Sequence, residues 1–171
     1  MKIKDSGKRT EFESGAVRDI QEGKGRCDLL PLDVLSTYFT DYRGGKYENV
    51  MMCISNFQAC GDVMFLDQAL RNFQVLRGWD NSTMALEVAI HFEEGANKYG
   101  ERNWQKGIPV IRYIDSGIRH YLKFIRGDKD EPHDRSFCWN VLCAMWTCNH
   151  RPELNDYHAA GEKKAMEVLK K

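Results

Sequence analysis

MALEVAIHFEEGANKYGERNWQKGIPVIRYIDSGIRHYLKFIRGDKDEPHDRSFCWN, residues 84–140, decides the fold class. Gly100 and Gly127 divide it into three segments, each with apolar residues recurring at helical spacing. Asp80, Asn81, Ser82 and Thr83 offer N-caps to the first segment. Pro109 suits the first turn of the second, and Pro132 fits the first position of the third. On the first helix Ala85, Val88, Ala89, Phe92, Ala96 and Tyr99 make the expected core stripe, with Glu87, His91, Glu94 and Lys98 on a neighbouring strip and Glu93 at the stripe's edge. On the second, Ile111, Ile114, Ile118, Leu122 and Ile125 face inward, with Asp115 between them. The third carries His133 and Asn140 in line with Phe137, Val141, Ala144 and Cys148. Charge set against an apolar face costs several kcal/mol unless it is paired or bound to a metal. Three successive helices doing this predict one shared polar site inside a helical bundle.

Working outward, Ser36–Trp79 predicts two more helices, over 50–57 and 63–76, divided by Cys60-Gly61-Asp62. Residues 159–169 predict a terminal helix with alternating charges, and 1–14 a frayed or loosely docked arm. Residues 15–31 read as a loop leading into a core segment after Pro31. The expectation is a single all-α domain over 1–171, a chain of about one-domain length.

A hydrophobic share of 42% with 29% charged residues fits a folded chain and excludes a disordered one. Lys+Arg 25 balances Asp+Glu 25, so no global field draws in a polynucleotide or an anionic membrane. No apolar run is long enough to cross a bilayer and the start is polar, which predicts a cytoplasmic protein, in the host cytoplasm if phage-encoded. The six cysteines form no C-x-x-C pair, which argues against a zinc knuckle and for reduced, mostly buried thiols.

The chemistry concentrates in a few residues. Glu93, Glu94, Asp115, Glu131 and Asp134 are hard oxygen donors that suit Mg²⁺ or Mn²⁺. Glu131 and Asp134 lie three apart, the spacing for sharing one cation, although capping of the helix they open explains them as well. Asp115, Arg119 and Lys123 also read as an i, i+4 ion-pair ladder. His120 reads either as a satisfied structural histidine or as a ligand. Arg102, Asn103, Trp104 and Lys106 crowd one loop, where Trp104 either stacks on a base or plugs the core. Gly23-Lys24-Gly25-Arg26 is not a P-loop, but its two cations and flexible backbone suit a phosphate as well as a plain basic turn. With Lys98 nearby, these groups favour metal-assisted attack of water on a phosphate ester or anhydride.

The blocks GAVRDIQEGKGRCDLLP (15–31) and HFEEGANKYGERNWQKGIPVIRYIDSGIRHYLKFIRGDKDEPHD (91–134), with Trp139-Asn140 following, resemble the phage and bacterial dATP/dGTP diphosphohydrolases, a MazZ-like family similar to the MazG-type all-α nucleotide pyrophosphohydrolases. The resemblance implies a MazG-like bundle with extra helices, Mg²⁺ (or Mn²⁺) dependence, and hydrolysis of a purine dNTP to dNMP and pyrophosphate in a homodimer or homotetramer. Glu93, Glu131 and Asp134 then become the catalytic carboxylates. Glu93, Glu94, Asp115, Glu131 and Asp134 become the metal candidates, and Lys24, Arg26, Lys98, Arg102, Asn103, Trp104 and Lys106 the substrate contacts. Asn97 departs from the E-E-x-x-E pattern by replacing its last glutamate, and residues 37–80 look like an insertion. Two rival readings are an HD-type phosphohydrolase built on His133-Asp134 with His91 or His120, and a non-catalytic nucleotide- or protein-binding module.

Overall fold

The computed structural model describes residues 7–22, 25–31, 35 and 48–157. Five helices carry the fold: α1 (Glu48–Cys60), α2 (Val63–Arg77), α3 (Asn81–Tyr99), α4 (Val110–Arg126) and α5 (His133–His150). A two-stranded antiparallel sheet, β1 (Arg9–Glu11) and β2 (Val17–Asp19), precedes them, with Thr10 opposite Arg18. The architecture is all-α apart from this hairpin. No helix among the described residues is long and apolar enough to cross a membrane. The predicted helix over 159–169, residues 1–6 of the arm and the Lys24 position lie outside the described residues.

Local chemistry explains the helix ends. Asp62 accepts from the Met64 amide at 2.9 Å and Asp80 from the Thr83 amide at 2.7 Å, each satisfying a donor that the first helical turn leaves open. Gly78 and Gly127 close α2 and α4 in the left-handed conformation that a side chain disfavours. Pro109 and Pro132 stand one residue outside α4 and α5, where their missing N–H costs nothing. The amide of Ile111, in the first turn of α4, donates to Asp156 at 3.0 Å, so a carboxylate from the far end of the described chain meets the positive end of that helix.

The antiparallel pair α4 and α5 forms the spine, with α1 and α2 packed as a second pair and α3 lying on α5. Phe73 of α2 ties the pairs together, its ring 5.1 Å from Phe124, 4.5 Å from Phe137 and 6.2 Å from Tyr121 between centroids. Four of the six cysteines are buried and all six are unpaired, in line with their reading as small core residues.

Two expectations change. Residues 9–11 are not a frayed arm, because they pair with β2, and Ser14 and Phe12 anchor the turn between them, Ser14 Oγ donating to the Gly107 carbonyl. Helix α3 is also turned relative to its apolar stripe. Ala85 and Ala89 are exposed, while Val88 and His91 are buried and Glu87, Glu94 and Lys98 are half-buried. The inward face of α3 mixes Val88 and Phe92 of the apolar stripe with His91 and Lys98 of the polar strip, since beyond Val88 it borders a cavity that carries charged groups beside its aromatic surface.

Candidate active site

A cleft of about 1250 Å³ opens between β2, α3, the 103–106 turn, α4 and the start of α5. Its walls carry cations (Arg18, Arg112, Arg119, Lys123) and an aromatic surface from Phe92, Trp104 and Trp139. The hairpin reaches it because Asn103 pins β2, its Nδ2 donating to the Val17 carbonyl at 2.8 Å and its Oδ1 accepting from the Val17 amide at 2.9 Å. One side chain thus extends the sheet edge and satisfies both backbone groups.

At one end, His120 of α4 meets His133 of α5, with Nδ1 to Nδ1 at 2.9 Å. His133 Nε2 lies 2.8 Å from Asp130 Oδ1. A carboxylate only accepts, so Nε2 carries the hydrogen, and in neutral His133 the Nδ1 lone pair faces His120. His120, His133 and Glu131 bring one ligand atom each within 4.8 Å of one another, and Asp128, Asp130 and His133 form a second such group. Burial, then the neighbouring His133 and His91 and the cations Arg119 and Arg18, hold His120 well below its ordinary pKa, so it stays neutral with a lone pair to offer. The donor set fits a divalent cation that accepts imidazole together with carboxylate. The Asp130 contact fixes the His133 tautomer, as an outer carboxylate does for histidines that bind metals.

The oxygen donors expected from sequence separate. Glu131 joins the histidines. Glu93 is exposed on the cleft wall. Glu94 turns to Arg135 at 3.6 Å. Asp134 pairs with Arg77 at 2.8 Å, so it shares no site with its neighbour His133. Asp115 is buried, and both its oxygens are engaged: Oδ1 accepts from the Cys27 amide at 2.6 Å, and Oδ2 accepts from Gln21 at 2.7 Å and Arg119 at 2.5 Å. It fastens Gln21, Cys27 and Asp28 to α4.

The expected substrate contacts divide in the same way. Lys98 lines the cleft but is held by Asp19 at 2.9 Å. Arg102 is exposed at the cleft edge in a left-handed conformation, φ 55°. Trp104 presents a face to the cleft while its ring packs on Phe92 at 5.2 Å and Trp146 at 4.9 Å, so plugging and lining are one role. Lys106 is exposed away from the cleft walls, and Arg26 pairs with Asp28.

Sequence reasoning missed Arg18. Its Nη2 donates to Asn140 Oδ1 at 2.6 Å, and its guanidinium lies over the Tyr113 and Trp139 rings at 5.0 and 5.7 Å. A three-residue strand is too short for alternation to reveal which way its side chains point. His91 is buried against Trp139, and burial, with Arg135, Arg18 and Lys98 nearby, pushes its pKa down to about 3.

A family model described as dATP/dGTP diphosphohydrolase, N-terminal, matches residues 66–157, just over half of the chain and the span that holds α3, α4 and α5. No curated protein and no solved structure matches the chain.

Proposed function

The chain belongs to the dATP/dGTP diphosphohydrolase family, and from that premise we propose that it hydrolyses a purine deoxynucleoside triphosphate to the monophosphate and pyrophosphate. Water attacks the α-phosphorus, the bond to the α,β-bridging oxygen breaks, and pyrophosphate leaves with that oxygen. The observation that carries this reading is the cleft itself, where the matched helices bring a histidine–glutamate cluster, an aromatic wall and several cations around one space of nucleotide size.

His120, Glu131 and His133 would hold a divalent cation, and the two imidazoles favour Mn²⁺ over Mg²⁺, which prefers an all-oxygen shell. A cation held there would neutralise phosphate charge and polarise the bond to be cleaved. Glu93, on the wall that α3 forms, is an exposed carboxylate of the cleft suited to take a proton from the attacking water. Arg119 and Lys123 line the cleft beside the cluster and face the polyphosphate. Phe92, Trp104 and Trp139 offer the purine an apolar surface for stacking.

Incubating the protein with each dNTP and Mn²⁺ or Mg²⁺, with the phosphate products resolved, tests the proposal. Pyrophosphate with a purine dNMP is the expected outcome. Triphosphate with free nucleoside would move the assignment to HD-type chemistry, and no turnover of any nucleotide would leave a binding module.

A further inference from the structure

Arg18 brings a positive charge into the cleft with no carboxylate among the described residues to balance it. Its partners among the described residues are neutral: Asn140 accepts its hydrogen bond, and Tyr113 and Trp139 lie against its face. Its Nη1 is enclosed and finds no acceptor among the described residues. The nearby carboxylates are committed elsewhere, Asp19 to Lys98, Arg9 and the Tyr99 hydroxyl, and Asp115 to Arg119, Gln21 and the Cys27 amide. Burial accordingly pulls the Arg18 pKa down. A buried charge without a counter-charge is costly, and the aromatic faces offset only part of that cost.

Two more enclosed polar atoms on the same cleft, Trp139 Nε1 and His91 Nδ1, also lack a partner among the described residues. The indole N–H can only donate. Neutral His91 can donate as well. This face therefore asks for a ligand rich in acceptors and carrying negative charge. Asn140 sits against Gly117 of α4, where an added Cβ would lie 3.5 Å from the Asn140 Cβ. Gly117 is about one helical turn from His120, roughly 4.5 Å along the axis, so the Arg18 subsite neighbours the metal-capable cluster.

We propose that Arg18, oriented by Asn140, receives a phosphoryl group of the ligand, with Trp139 and His91 adding N–H donors. Naming phosphate as the anion rests on the nucleotide reading of the cleft; the missing counter-charge does not. A purine edge would also accept from the guanidinium, but it is neutral and would leave the buried charge unbalanced.

Titration calorimetry on the full chain without metal tests this, using pyrophosphate, dAMP, dGMP and the unphosphorylated deoxynucleosides. Wild type should bind the phosphorylated ligands. Arg18→Gln should weaken them by about tenfold or more while leaving the deoxynucleosides unchanged. Asn140→Asp supplies a built-in carboxylate beside Arg18 and should reduce phosphate affinity just as strongly, with thermal melting confirming that the variant folds. Equal losses for dGMP and deoxyguanosine would overturn the proposal in favour of base reading. Unchanged pyrophosphate affinity in both variants, or none in wild type, would also overturn it. Binding is read without turnover, so failure of the hydrolase reading leaves this result interpretable. Conversely, hydrolysis by Arg18→Gln with an unchanged KM would remove Arg18 and keep the activity.

Discussion

Glu131 is the only one of the five expected oxygen ligands that the fold sets beside His120 and His133, and its proline neighbour fixes where it points along the entry to α5. A bound divalent cation supplies several kcal/mol of transition-state stabilisation, so Glu131→Gln should cut turnover by roughly a hundredfold or more with the circular-dichroism spectrum unchanged. Asp134→Asn is the contrast. It breaks only the partly exposed pair with Arg77, and turnover should stay within about threefold of wild type. Loss of activity in Asp134→Asn with retention in Glu131→Gln would place the site on the wrong carboxylate. His91 gives a pH prediction. Unfolded, its imidazole takes a proton near 6.5; folded, between Arg135 of α5, Arg18 of β2 and Lys98 of its own helix, it resists until about 3. Below 6.5 the unfolded chain binds the extra proton, so this contribution to stability is complete above 6.5 and is lost as pH falls toward 3, at up to about 1.4 kcal/mol per pH unit. Urea midpoints measured between pH 7 and pH 5 should fall in wild type and fall less in His91→Gln. Sequence showed that Glu131, His133 and Asp134 cluster at a helix start. It could not show which of them turns inward, because that depends on Arg77, which is distant in the chain.

At the scale of elements, periodicity located α2, α3, α4 and α5 to within a residue or two, because capping residues and glycines mark their ends. It failed on the orientation of α3. An apolar stripe predicts the buried face only when the neighbour is hydrocarbon. Here the neighbour is in part a cleft with charged groups beside its aromatic wall, so His91 and Lys98 turn inward along with Val88 and Phe92, and Ala85 and Ala89 outward. The hairpin escaped detection for a related reason: β2, a three-residue strand held by Asn103, owes its position to long-range hydrogen bonds, and those leave no local pattern. Asp115 then acts as a fastening between elements. Removing a buried, fully engaged carboxylate costs about 3–5 kcal/mol, so Asp115→Ala should lower stability by that order. Hydrogen exchange at the Cys27 amide should rise with it, because its acceptor is gone. Unchanged exchange at Cys27 would mean that Gln21, Cys27 and Asp28 are held some other way.

The whole molecule raises the question of how α3 is covered. Of its nineteen residues only Val88 and His91 are buried, and Leu86 and Ile90 are exposed on the face turned away from the cleft, at 70% and 42%. Leu86 and Ile90 are one turn apart and so share that face, with Ala89 beside them. A helix packed on one side alone draws little stability from burial, and a solvent-exposed pair of large aliphatic residues on the site-bearing helix suits a second copy of the chain. The charge balance of 25 against 25 raises no electrostatic barrier to self-association. Homodimerisation through α3 would cover that face and steady the helix that carries His91 and Glu93. Sedimentation velocity should then give about twice the chain mass of 19.8 kDa, and Leu86→Glu with Ile90→Glu should return the monomer. Turnover per chain should fall in that variant, since α3 loses its cover while the cleft residues stay in place. A wild-type monomer at micromolar concentration, or a dimer indifferent to the double substitution, would remove α3 from the interface.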